Sequence, residues 1–172
     1  GQFRLMLQKL LAERFQLTLH RETKEVSGYS LAVARKGPKM EQSTGVIAAS
    51  DDSAAAPLKL GADGYFVAPQ RSGVFFQLAK PPGARSTFRQ MTMQDLANTL
   101  QGQLKRPVMD GTGLTARYDF TLDYSTEGLY LGSGRIPVSR GAAEDLPDIF
   151  SALQEQLGLK LDSKKVPVNM IV

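Results

Sequence analysis

The chain has 172 residues, is 42% apolar and 22% charged, and carries a net charge of +4 with a sequence pI of 9.4. That is enough chain for one domain or two small ones packed together, with about 70% of the unfolded surface buried and a self-sufficient core possible. It contains no cysteine, which excludes disulfides, thiolate zinc sites, iron–sulfur clusters and cysteine nucleophiles and leaves the compartment open.

Residues 3–15 place Phe3, Met6, Leu7, Leu10, Leu11 and Phe15 on a broad apolar stripe, which predicts a helix buried on more than one side. Leu17 and Leu19 then alternate with polar residues as a strand. The charged run 21–25 is expected to turn the chain into a second strand at Tyr29, Leu31 and Val33, closed by Lys36, Gly37 and Pro38. Residues 41–64 are dominated by Ser, Ala, Asp and Gly without a period and are expected to form a flexible loop. Short strands are predicted at 65–68, 74–78 and 86–91.

The clearest unit follows. Thr92 is a helix N-cap with Asp95 as its box partner. Met93, Leu96, Ala97, Leu100 and Leu104 form one helical stripe, and Gln94, Asn98, Gln101, Gln103 and Lys105 take the other faces. Pro107 ends the helix and Val108 marks a short strand. Asp110, Gly111, Thr112 and Gly113 form a turn, read as the hairpin that closes the unit. Tyr118, Phe120, Leu122 and Tyr124 alternate with Arg117, Asp119, Thr121 and Asp123, which predicts a strand with one buried and one wet face.

Residues 125–144 are a Gly-rich connection with an apolar island at Leu129, Tyr130 and Leu131. Asp145 is the expected cap of a last helix, with Pro147 and Asp148 in its first turn and Ile149, Phe150, Leu153 and Leu157 as its stripe. Leu159 and Leu161 begin a strand, Ser163, Lys164 and Lys165 a turn, and residues 166–172 a final strand. Leu11, Phe15, Leu17 and Leu19 share their spacing with Leu153, Leu157, Leu159 and Leu161. The pattern predicts an α+β fold in one compact domain of three helix–strand–strand units, about 3–35, 86–124 and 145–172, with helices packed on mainly antiparallel or mixed β-sheet. The unequal spacing of the copies excludes a solenoid.

Chemistry is sparse. His20 is the only histidine, so it cannot join a multi-histidine metal site, and decoration of a strand end is the stronger reading. Asp119 and Asp123 share a strand face, but two strand steps apart each they stand about 13 Å from one another, too far for a direct acid–base pair. Gly132, Ser133, Gly134 and Arg135 lack the length and Lys of a phosphate loop. No Ser-x-x-Lys, Gly-x-Ser-x-Gly or His-Glu-x-x-His motif occurs. No cofactor and no metal are expected. The basic excess lies in residues 1–40, with eight Lys/Arg against three Asp/Glu. Arg35, Lys36 and Lys39 cluster only at a turn, so no nucleic acid is expected as a partner. No apolar run is long enough to span a bilayer, and these residues contain no signal peptide.

Three blocks, residues 2–40, 106–124 and 148–172, carry the signatures LLAERF…LHRETKE and RPV-x-D-x-TGL-x-x-x-YDFTL. They resemble the soil-associated protein family expanded in Acidobacteria, a domain of unknown function. The resemblance implies a periplasmic or secreted setting and no particular activity. More loosely, the repeated unit is similar to the short N-terminal domains of secretins and TonB-dependent receptors, which make protein contacts. The leading expectation is a non-enzymatic extracytoplasmic module for a protein, such as an envelope protein, or a small ligand. The alternative is a hydrolase with its site near His20 or Asp119 and Asp123. An exposed apolar patch near Leu129, Tyr130 and Leu131 would favour binding.

Overall fold

The computed structural model describes residues 6, 9–10, 14–15, 21–45, 59–62, 65–78, 83–132, 134–135 and 146–171. In chain order the elements begin with β1 (Arg21–Val33), β2 (Glu41–Gln42), β3 (Gly73–Leu78) and β4 (Gly83–Met91). Helix α1 (Met93–Leu104), β5 (Val108–Asp110), β6 (Tyr118–Ser125), β7 (Tyr130–Leu131) and β8 (Gly134–Arg135) follow. A one-turn helix α2 (Ile149–Ala152) widens into a π-turn (Leu153–Leu157), and β9 (Leu159–Ile171) ends the described chain. The chain divides into two units, Ser27–Val166 and a smaller one of Gly1–Val26 with Pro167–Val172.

A three-stranded sheet runs β5-β1-β9 and a four-stranded one β2-β6-β4-β3, with a separate β7–β8 hairpin. β5 pairs parallel with β1, Tyr29 opposite Val108. The β2–β6, β3–β4 and β4–β6 pairs are antiparallel.

This architecture overturns the expected α+β fold of three helix–strand–strand units; the protein is mostly β. The two outer hairpins do not exist. The charged run 21–25 continues β1, and Ser163, Lys164 and Lys165 continue β9. The reason is visible in the charges. Glu22 and Lys24 stand two residues apart on one face of an extended chain, 3.1 Å from each other, and Lys160 and Asp162 do the same at 2.7 Å. Charge density suggested corners, whereas i, i+2 pairs of opposite sign suit a solvated strand. Pro167 is tolerated because β9 is an edge strand among the described residues. The central unit is not a hairpin either, because β5 pairs with β1 and β6 with β4. The Asp110–Gly113 segment therefore carries the chain from one sheet to the other. Asp110 Oδ1 holds it by accepting the Thr112 N–H at 2.9 Å and the Thr112 hydroxyl at 2.7 Å.

Of the first predicted helix, Met6, Lys9, Leu10, Arg14 and Phe15 are helical as expected, but Met6, Leu10 and Phe15 are exposed rather than buried. The strand expected at Leu17 and Leu19 lies outside the described residues. So does most of the 41–64 loop, of which Glu41–Gln42 forms β2.

One apolar core runs through the larger unit. Leu31, Val108 and Leu159 come from the first sheet, and Phe88, Phe120, Leu122 and Tyr124 from the second. Phe88 and Phe120 stack at 4.5 Å. Helix α1 contributes Met93, Leu96, Ala97 and Leu100, all at most 1% exposed. Its capping box is formed as the sequence predicts, with Asp95 Oδ2 accepting the Thr92 N–H at 2.9 Å. The last helix starts later than expected. Asp148, not Asp145, is its cap, and Asp145 lies outside the described residues. Gly158 ends the π-turn with φ +67°, and a Cβ there would clash with the Gly37 carbonyl oxygen.

Two glutamine side chains act as extra peptide groups. Gln156 accepts the Asp123 N–H at 3.0 Å and donates to the Asp123 carbonyl at 2.6 Å, closing an edge of β6. Gln77 does the same for Phe66, both bonds at 2.7 Å.

Candidate binding groove

The end of α1, the start of α2, the β6–β7 connection and Tyr29 of β1 surround an open groove of about 480 Å³. Aromatic and aliphatic side chains share its walls with Arg106, Glu127 and Asp148. Tyr29 meets Phe150 edge to face at 5.6 Å and 63°. Tyr130 of β7, Leu104, Leu129 and Ile149 line the groove as well. Leu129 and Ile149 are buried, whereas Phe150 is 38% exposed. The Lys105 ammonium lies 5.9 Å from the centre of the Tyr130 ring.

Local bonds set these walls. The Ser125 N–H donates to the Pro147 carbonyl at 2.9 Å, tying β6 to the segment before α2. The Leu129 N–H donates to the Thr126 carbonyl at 3.1 Å, turning the chain so that Leu129 points inward. Asp148 accepts the Phe150 and Ser151 N–H groups at 2.8 and 3.1 Å and the Ser151 hydroxyl at 2.9 Å. Burial raises the Asp148 carboxyl, but these Ser151 and Phe150 donors outweigh it and hold it below the usual carboxylate range. Asp148 is thus an ionised cap and a structural anion. Arg106 also lines the groove, is exposed, and has no acceptor among the described residues.

The sequence-nominated carboxylates lie elsewhere and are occupied. Asp123 forms a two-point ion pair with Arg85, Nε to Oδ1 at 2.6 Å and Nη2 to Oδ2 at 2.9 Å. The Arg85 guanidinium in turn lies 3.8 Å from the centre of the Tyr65 ring. Asp119 accepts the Gln90 N–H at 2.6 Å and the Ser43 hydroxyl at 2.9 Å. Gln90 is in the left-handed region, φ 53°, at a bulge of β4, so Asp119 steadies a strained peptide. Both carboxylates face away from the core as the alternation predicts, but they are paired rather than merely solvated. His20 lies outside the described residues. Gly132 and Gly134 flank the tip of the β7–β8 hairpin. Lys39, of the basic turn, donates to the Glu155 carbonyl at 2.6 Å.

A buried polar trio was not anticipated. Tyr124 Oη accepts from Gln103 Nε2 at 2.6 Å and shares a hydrogen bond with Ser86 Oγ at 2.9 Å. Burial pushes the Tyr124 phenol up from its usual value against the pull of the Ser86 and Gln103 bonds. Gln103, assigned to an outer helix face from the sequence, is buried because it serves this bond. The groove was legible only at the Leu129–Tyr130 island. Tyr29 and Arg106 gave no local signal, because residues far apart in sequence supply the walls.

The fold and groove define a mostly β domain in which no group of three or more His, Asp or Glu side chains could hold a metal ion among the described residues. No helix of the described residues is long and apolar enough to cross a membrane. The chain belongs to the family described as protein of unknown function (DUF3738), whose pattern matches residues 1–172. This bears out the resemblance to a domain of unknown function. No curated protein and no solved structure matches the chain.

Proposed function

We propose that the protein is a non-enzymatic extracytoplasmic module that binds a small ligand, or a segment of a partner protein, in this groove. The observation that carries the reading is the groove's make-up: Tyr29, Tyr130 and Phe150 line it together with Arg106, which has no protein acceptor among the described residues, whereas the Asp148 carboxylate in the same lining is taken up by its helix cap. Pockets of a few hundred Å³ with apolar walls and a few polar groups are suited to ligands. A guanidinium in a groove that aromatic rings also line suits an anionic or carboxylate-bearing group. The Asp119 and Asp123 form of the alternative hydrolase is disfavoured, because both carboxylates are bound in structural pairs; His20 lies outside the described residues. The resemblance to exported proteins supports the extracytoplasmic setting.

Anilinonaphthalene sulfonate, an anionic aromatic probe, tests the groove by fluorescence titration. Saturable binding is expected, weakened at least about tenfold by Arg106→Glu and by Phe150→Ala with circular dichroism unchanged, each tenfold corresponding to about 1.4 kcal/mol. Binding that fails to saturate, or that ignores both substitutions, rejects the assignment. Cell fractionation of the full-length gene product tests the setting, and recovery in the cytoplasm would reject it.

A further inference from the structure

We infer that the free edge of β3 is the surface through which two copies of this chain associate, joining their four-stranded sheets about a two-fold axis. β3 has only β4 beside it among the described residues. Its backbone phase follows from the register. Asp123 directs its N–H and carbonyl to Gln156, away from β4. Its cross-strand neighbour Arg85 therefore bonds toward β3, where it meets Gln77. By the same alternation Gly73, Phe75 and Gln77 bond to β4, and Val74, Phe76 and Leu78 present their N–H and carbonyl groups outward.

The sequence of the strand carries neither of the two commonest protections of an edge, a charge or a proline. Gly73-Val74-Phe75-Phe76-Gln77-Leu78 contains no charge and no proline. Phe76 is 38% and Leu78 59% exposed. Both point to the sheet face on which Phe88 and Phe120 are buried, so the apolar face of the sheet continues past the cover it receives elsewhere.

What favours a second copy as the occupant is self-complementarity. An antiparallel pairing centred on Phe76 sets Phe76 against Phe76 of the second copy, and Val74 against Leu78 in both directions. Every outward backbone group then finds a partner, every cross-strand contact on that face is apolar, and no like charges meet. A closed two-fold contact of this kind uses the same patch on both subunits.

Sedimentation equilibrium from micromolar to millimolar concentration tests the inference. A concentration-dependent rise toward twice the 18.7 kDa of the chain is expected, abolished by Phe76→Lys and by Leu78→Lys. The register is tested in the cysteine-free background. Across the axis Phe76 faces itself at a Cα separation of about 5.5 Å, within disulfide range. Phe76→Cys should therefore cross-link on mild oxidation, whereas Leu78→Cys, displaced from its own copy by four residues, should not. A wild-type chain that stays monomeric overturns the inference. So does a dimer that survives both lysine substitutions, or equal cross-linking of the two cysteine variants.

Discussion

Tyr124→Phe probes the polar trio with the smallest possible change. The ring stays in place, 1% exposed, and only the hydroxyl is lost. Gln103, 9% exposed, then has an amide hydrogen without its 2.6 Å acceptor, and Ser86, 2% exposed, loses its 2.9 Å partner. A buried donor left unsatisfied costs about 1–3 kcal/mol. The Ser86 hydroxyl can rotate to another acceptor, so the loss falls mainly on Gln103, and a total of about 2 kcal/mol is expected. In a chain of this size that lowers Tm by about 4–8 °C. Urea and thermal unfolding followed by circular dichroism measure both. Adding Gln103→Leu should recover much of the loss, because the stranded donor is then gone as well. The phenol adds a pH signature. Burial raises its folded value above the ordinary 10.0. The folded state thus keeps the proton that the unfolded chain gives up. This contribution is fully present below the unfolded value and is lost as pH rises through the raised folded value. The Phe variant should lose less stability in alkali than the wild type. A Tyr124→Phe protein within about 0.5 kcal/mol of wild type, as stable as an ordinary surface variant, refutes the reasoning.

Two further substitutions test the frame that holds the groove. Gly158→Ala forces a side chain into φ +67° and against the Gly37 carbonyl, and should lower the urea midpoint by more than the equivalent of about 2 kcal/mol; an unchanged midpoint contradicts the close approach. Asp95→Ala removes the α1 capping box and should cost about 1 kcal/mol at neutral pH. The Thr92 hydroxyl and N–H hold the Asp95 carboxyl below its usual 3.8. Its stabilisation is therefore present above pH 3.8 and lost as pH falls through the lowered folded value, and a gap between variant and wild type that does not narrow in acid rejects the account.

Local physics was legible wherever it sufficed. Thr92, Asp95 and the Met93–Leu100 stripe declare helix α1 from cap to core, and the alternation of Tyr118 to Tyr124 declares both faces of β6. What failed was pairing. Nothing near Val108 says that its partner is Tyr29, or that β6 chooses β4 instead, because parallel pairing and sheet order depend on contacts far apart in sequence. The charged run at 21–25 looks like a corner until its Glu22–Lys24 pair is seen along an extended chain, and residues 163–165 continue the strand on which Lys160 and Asp162 pair. The groove shared the difficulty of the sheets. Leu129 and Tyr130 stood out as an apolar island, whereas Arg106 and Phe150 gain meaning only once α1 and α2 bring them together.

Gln77 and Gln156 impose a constraint that no polarity scale or apolar pattern carries. Each completes a backbone with one acceptor and one donor in a single planar group. Glutamate has nearly the same shape, yet it offers only acceptors and would set a negative charge against the Asp123 or Phe66 carbonyl. Asparagine has the right chemistry but is one methylene too short. Methionine fits the space and leaves a peptide bare at both ends. These two surface-leaning positions should accept fewer replacements than several core leucines, for which another hydrocarbon of similar volume serves.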